Sequence, residues 1–224
     1  MQSSSLLHPY SYHPVFRTRI SAPGHKNCTL NLRFELPPLI FVDPYELGNR
    51  ADTYSYKYAG PLNLELPVFA LGEDDSQNST LLVTSAESLS REGALELDAP
   101  LHVRYPHTRA TGTAFQETKL SWPDAFLACP LSGSTSRPQA ELPKMPTEFA
   151  DAFEGKIIVR LWPLEGVIPV ETVRTPAGNT ADVRTVELGT AVVIISAFLF
   201  LVHAVWRTVT RLGSRTVRLS AKDQ

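Results

Sequence analysis

Groups able to do acid–base, metal or nucleophilic chemistry are few and scattered along this 224-residue chain. The six histidines (His8, His13, His25, His102, His107 and His203) show no ligand spacing alongside cysteine, so no zinc pattern is present. Glu73, Asp74 and Asp75 form an acidic run that would suit a metal and a sugar nucleotide; between two apolar stretches it reads as a solvated loop. His102 and Arg104, two residues apart, share one face of a strand and have the residue types of an acid/base pair. Same-face neighbours on an exposed strand are ordinarily just hydrated, and that is the reading here. Neither a Ser–His–Asp signature nor a glycine-rich phosphate loop occurs. The expectation is a protein that binds, without catalytic residues, metal or cofactor.

Two motifs do carry covalent chemistry. Asn27-Cys28-Thr29 and Asn78-Ser79-Thr80 are N-glycosylation sequons. Asn27 and Asn78 are therefore candidate glycan acceptors. Cys28 and Cys129 are the only cysteines, the minimum for one disulfide in an oxidising compartment. The residues alone leave open whether they pair or stay as two buried thiols.

The elements that must position these groups read mainly as strands. In Asn27 to Leu36, Cys28, Leu30, Leu32, Phe34 and Leu36 fall on one face and Asn27, Thr29, Asn31, Arg33 and Glu35 on the other. That period of two predicts a half-buried strand with Asn27 on the wet side. Leu62–Ala70 and Leu95–Tyr105 alternate in the same way, the second placing His102 and Arg104 on its polar face, and a last apolar strand covers Ile157–Trp162. Asp43-Pro44 initiates a turn, because Asp bonds the backbone ahead while Pro fixes φ. Thr147 caps a short helix ending at Gly155, residues 131–146 form a Pro/Ser-rich loop, and 172–185 form a stalk. Eighteen prolines with 43 % hydrophobic residues point to a loop-rich, strand-rich globular body rather than disorder. The predicted class is mainly β: a luminal antiparallel β-sandwich-like domain over residues 1–185, then one C-terminal transmembrane helix.

That helix is set by the run Leu188–Trp206, nineteen residues without Asp, Glu, Lys or Arg. At about 1.5 Å per residue it covers roughly 28 Å, close to the thin hydrocarbon core of an endoplasmic reticulum bilayer, about 27 Å. The span is assigned to residues 186–206 and a short tail to 207–224. The tail holds five basic residues and one acidic, net +4, whereas the rest of the chain has 16 basic and 22 acidic residues, net −6. Lys and Arg stay on the cytoplasmic side, so the tail is expected in the cytosol and the β domain in the lumen. His203 within the span hints at a partner helix. The opening MQSSSLLHPYSYHPVF lacks the basic start and apolar core of a signal peptide. The expectation is that the chain begins late or that the C-terminal helix drives export. A net charge of −2 gives no sign of nucleic-acid binding.

Three stretches together resemble a family. ELPPLIFVDPYEL (35–47) resembles the LP…FVDPYEL signature of the PIG-X family of endoplasmic reticulum membrane proteins, and PLHVRYPH (100–107) resembles its P-x-H-x-RY motif. Ala128-Cys129-Pro130 sits where the family often has a cysteine, and the C-terminal span with a short tail is similar too. The missing signal peptide departs from the pattern of the animal members. The resemblance implies a non-catalytic subunit of glycosylphosphatidylinositol (GPI) mannosyltransferase I. Such a subunit stabilises the polytopic catalytic partner, which adds the first mannose to the GPI precursor from dolichol-phosphate-mannose. It singles out Phe41, Val42, Asp43, Pro44, Tyr45, Glu46, Leu47, His102, Arg104 and Tyr105 as motif residues and candidates for the partner surface. A free-standing luminal chaperone or cargo receptor is the other class compatible with this architecture.

Overall fold

The computed structural model describes residues 1–61, 63–64, 66–72, 76–89, 93–108, 115–131 and 140–220, of which 213–220 by backbone alone. The acidic run Glu73, Asp74 and Asp75, the middle of the 131–146 loop, and Lys222 and Asp223 of the tail lie outside the described residues. The chain divides into two compact units, one built from residues 1–108 and 113–178, the other running from residue 179.

Among its described residues the first unit has twelve strands: β1 (Gln2–Leu7), β2 (Val15–Ser21), β3 (Thr29–Leu36), β4 (Ile40–Phe41), β5 (Tyr54–Ala59), β6 (Ser79–Ser88), β7 (Ala94–Pro100), β8 (His102–Val103), β9 (Phe115–Ser121), β10 (Asp124–Pro130), β11 (Lys156–Leu161) and β12 (Val170–Pro176). Two short helices interrupt them, α1 (Pro44–Gly48) after β4 and α2 (Thr147–Ala150) before β11. A five-stranded sheet has the order β11-β10-β3-β6-β5 and a three-stranded one β1-β2-β7, while β12-β9 and β4-β8 are two-stranded ribbons. Every ladder between named strands is antiparallel.

The alternation read in the sequence explains β3 at the centre. Leu30, Leu32, Phe34 and Leu36 are buried, and they meet Phe16, Ile20, Leu97 and Ala99 from the three-stranded sheet in one apolar cluster. Phe16 and Phe34 touch edge to face, with ring centroids 5.5 Å apart at 84°, the arrangement that the ring quadrupoles favour. The fold is thus mainly β and sandwich-like. On the outer side of the three-stranded sheet, Arg17 forks onto Asp98, directly opposite it on β7, at 2.8 and 2.7 Å, and Arg19 pairs with Glu96. The Arg17 hydrogen bond holds the Asp98 carboxyl below the usual range. These cross-strand pairs keep that face polar.

Several expected features differ. Strand β3 begins at Thr29, and Asn27 and Cys28 sit in the preceding turn, where Asn27 adopts φ of 64°. Asn31, expected on the wet face, is fully buried, because α2 and the 3-10 turn Asp151–Phe153 bring Phe149 and Phe153 over the outer side of the five-stranded sheet. Its amide is satisfied there: Oδ1 accepts from the Thr84 hydroxyl at 2.8 Å and Nδ2 donates to the Thr29 carbonyl at 3.0 Å. Thr147 is the first helical residue and does not cap, since Pro146 holds the cap position. Residues 172–176, expected as stalk, belong to β12 and pair with β9. Within Leu62–Ala70 the described residues form no strand, and Val68–Ala70 is a 3-10 turn after Pro67. Leu95–Tyr105 breaks at Pro100 into β7 and β8.

Tyr54 on β5 is 1 % exposed, and its hydroxyl has no hydrogen-bond partner among the described residues. Burial is the main cause that pushes its phenol up to about 12. An unfolded tyrosine ionises near 10, so above that pH the unfolded chain releases a proton that the folded one retains. Stability is therefore full below pH 10 and declines by about 2 kcal/mol as the pH rises to 12. Tyr54→Phe is expected to stabilise the domain at pH 7, since it removes an unsatisfied buried hydroxyl worth about 1–3 kcal/mol, and to flatten this alkaline decline. Denaturant melts of both proteins across pH 8–12 measure it; parallel alkaline limbs would refute the assignment.

The second unit is α3 (Val183–Ser220), preceded by a 3-10 turn, Thr180–Asp182, that Asn179 caps through a 2.9 Å bond from the Ala181 N–H. Among the described residues this helical segment is the one long and apolar enough to cross a membrane. Its 38 residues make about 57 Å of helix, so it extends well past the apolar run into the basic tail. Thr208 and Thr210 return their hydroxyls to the carbonyls of Ala204 and Trp206, the bond to the carbonyl four residues back that a helical threonine can make.

Candidate functional site

The stretches around residues 41–47 and 102–105 are far apart in sequence, yet they form one structure. Strand β4 pairs with β8, setting Ile40 opposite Val103 and Phe41 opposite His102. Asp43 then starts α1: its Oδ1 accepts the Tyr45 N–H at 2.8 Å, and Pro44 occupies the first turn, where its missing N–H costs nothing. The Tyr56 hydroxyl ties this turn to β5 by donating to the Pro44 carbonyl at 2.9 Å. One helical turn thus carries Glu46 back over β8. There the Glu46 carboxylate accepts the Nε2 proton of His102 at 2.7 Å.

The other ring nitrogen of His102, Nδ1, lies 2.9 Å from Nδ1 of His13, on the segment between β1 and β2. With the Nε2 proton directed at Glu46, Nδ1 of His102 is the acceptor in this contact and the Nδ1–H of His13 the donor. Next to this relay lies the buried guanidinium of Arg104, 3 % exposed, which sequence reasoning placed on a polar outer face. Its Nη1 donates to the carbonyls of Asn63 and Leu66 at 2.5 and 2.9 Å, and its carbon stacks 4.5 Å from the Phe41 ring centroid. Among the described residues here, the Asn63 and Leu66 carbonyls thus bond a side chain rather than a neighbouring strand, and the Val68 N–H bonds the Tyr105 carbonyl.

Together these groups line a cleft of about 360 Å³ whose walls include Tyr12, His13, Phe41, Asp43, His102 and Arg104. Val42 and Leu47 are buried in the main core, whereas Tyr45 is 80 % and Tyr105 66 % exposed. Tyr105 stacks on Tyr12 at 5.2 Å. His13 and Tyr12 were not singled out by sequence reasoning; no local pattern marks them, and only the fold brings them to His102 and Tyr105. A hydrogen-bonded histidine pair, a buried cation and two exposed tyrosines equip this surface for recognition by hydrogen bonding and aromatic contact. Among the described residues no group of three or more His, Cys, Asp or Glu is placed to hold a metal ion.

The family model described as PIG-X / PBN1 matches residues 9–206, nearly the whole chain, including both the β domain and the apolar helix. The chain belongs to the PIG-X family. No curated protein matches it. The PIG-X family is associated with accessory function in GPI mannosyltransferase I and with membrane location. In this PIG-X chain the remaining candidate residues lie away from the cleft-lining set. Cys28 and Cys129 form a disulfide, Cα–Cα 4.3 Å, that joins the turn before β3 to the end of β10. Asn27 is exposed in that turn. Asn78 is exposed just before β6, with Nδ2 donating to Glu35 Oε1 at 2.9 Å, which is the main cause holding the Glu35 carboxyl below its usual range.

Proposed function

We propose that this PIG-X protein is the non-catalytic stabilising subunit of GPI mannosyltransferase I in the endoplasmic reticulum membrane. In this reading residues 1–185 are luminal, 186–206 span the bilayer, and the tail from 207 is cytosolic. The polytopic catalytic subunit, which transfers the first mannose from dolichol-phosphate-mannose, is the partner, and Tyr45 and Tyr105 at the cleft contribute to the contact. The observation that carries the reading is the convergence of both motif stretches on one cleft, with Tyr45 left 80 % exposed. A large aromatic without a packing role in its own fold has the character of an interface anchor.

Tyr45→Ala is expected to leave this protein folded, because an exposed residue contributes within about 0.5 kcal/mol. It should nonetheless lower the level of the catalytic subunit and of GPI-anchored surface proteins. Asp43→Ala should act differently: losing the cap bond to the Tyr45 N–H costs about 1 kcal/mol and lowers the amount of this protein itself. Quantitative immunoblots of both subunits, with flow cytometry of a GPI-anchored reporter, separate the two effects. Normal partner and reporter levels with Tyr45→Ala would remove Tyr45 from the interface.

A further inference from the structure

Asn27 belongs to a sequon whose middle residue is half of a disulfide. Thr29, the hydroxyl residue of that sequon, is paired on both sides, to Ser88 of β6 and to Ala128 of β10. Cys28 is 1 % exposed and bonded to Cys129, the next residue along β10. Asn27 itself is turned into the left-handed region at φ 64°, and the Cys28 N–H bonds the His25 carbonyl at 3.3 Å. A transferase that reads Asn-x-Thr along a flexible stretch cannot take these three residues from the finished fold. The hydroxyl residue is in an interior strand, the middle one is cross-linked, and the acceptor is held in a tight turn. The Asn27 side chain nevertheless faces solvent, so a sugar attached earlier fits the folded domain.

We propose that Asn27 is a redox-timed N-glycosylation site, open to its glycan only until Cys28 bonds to Cys129. The inference rests on the luminal placement given under Proposed function. In the transfer, the Asn27 Nδ2–C1 bond forms as the C1–O bond to a lipid pyrophosphate breaks; the amide gives up one proton and the lipid pyrophosphate leaves. In the closing step the two thiols lose two protons and two electrons to the disulfide of a thiol–disulfide oxidoreductase, which becomes a dithiol. Cys129 follows Cys28 by 101 residues. At a synthesis rate of about 5–20 residues per second the sequon is unlocked for roughly 5–20 s before its partner cysteine exists. The Asn78 sequon contains no cysteine and serves as an internal reference: its Thr80 is likewise paired on both sides, to Glu35 of β3 and Ala59 of β5, so folding constrains both sequons and the disulfide alone sets Asn27 apart.

The test is site occupancy in the full-length chain expressed in cells, measured by peptide mass spectrometry as the ratio of Asn27 to Asn78. Cys129→Ala is expected to raise that ratio several-fold. Leu97→Ala weakens the same core but keeps both cysteines, and should leave the ratio unchanged. An unchanged ratio in Cys129→Ala, an equal rise in Leu97→Ala, or full Asn27 occupancy in the wild type would each overturn the inference while the luminal placement stands. Absence of glycan at both positions in every variant would overturn the luminal placement, and the inference with it.

Discussion

Replacing Arg104 by alanine is expected to destabilise the β domain by about 3–5 kcal/mol, at the upper end for a single substitution. The guanidinium is 3 % exposed and donates to two backbone carbonyls, those of Asn63 and Leu66, while stacking on Phe41. Hydrogen bonds from a charged donor contribute about 1.5–3 kcal/mol each, and a desolvated cation over an aromatic ring adds up to about 2 kcal/mol. Truncation also leaves a void beside β4 and β8. For a domain of this size each kcal/mol lowers the melting temperature by roughly 2–4 °C, so a decrease of about 10 °C is expected for the purified chain in detergent. Limited proteolysis should then cut between residues 63 and 70, the segment that Arg104 fastens. Arg104→Lys retains the charge but not the fork that reaches both carbonyls, and should recover only part of the loss. A melting temperature within about 2 °C of wild type for Arg104→Ala would mean that the guanidinium is not the fastener.

Loss of the Cys28–Cys129 bond is expected to have an effect of similar size. The bridge closes a loop of 101 residues, for which loop-closure entropy gives about 4–5 kcal/mol, and native disulfides commonly contribute about 2–5 kcal/mol. Both residues are buried in the main core, so the double alanine variant keeps the site apolar and isolates the effect of the crosslink. Its melting temperature should fall by about 10 °C, and wild type in reductant should melt like the variant. Thiol labelling of the denatured, non-reduced wild type should find no free cysteine. Two labelled cysteines, or a melting curve indifferent to reductant, would show that the bond does not form.

What the sequence by itself determined are the features carried by neighbours within a few residues. The apolar run ending at Trp206 identifies a membrane-capable helix, because length and hydropathy are local sums. The alternation of Leu30, Leu32, Phe34 and Leu36 identifies a strand and its buried face, because side chains point to opposite sides at each step. Asp43-Pro44 marks where a backbone turn begins, because the cap bond spans only two residues. Only the tertiary structure decided which polar residues are inside. Asn31 and Arg104 carry the same local pattern as a solvated face, and both are buried: one under Phe149 and Phe153, the other against carbonyls some 40 residues earlier in the chain. The cleft has the same origin. Glu46, His102 and His13 become a relay because β4 pairs with β8 and the β1–β2 segment crosses them. Pairing of distant segments depends on how the whole core closes, and a local periodicity carries no information about what will cover its polar side.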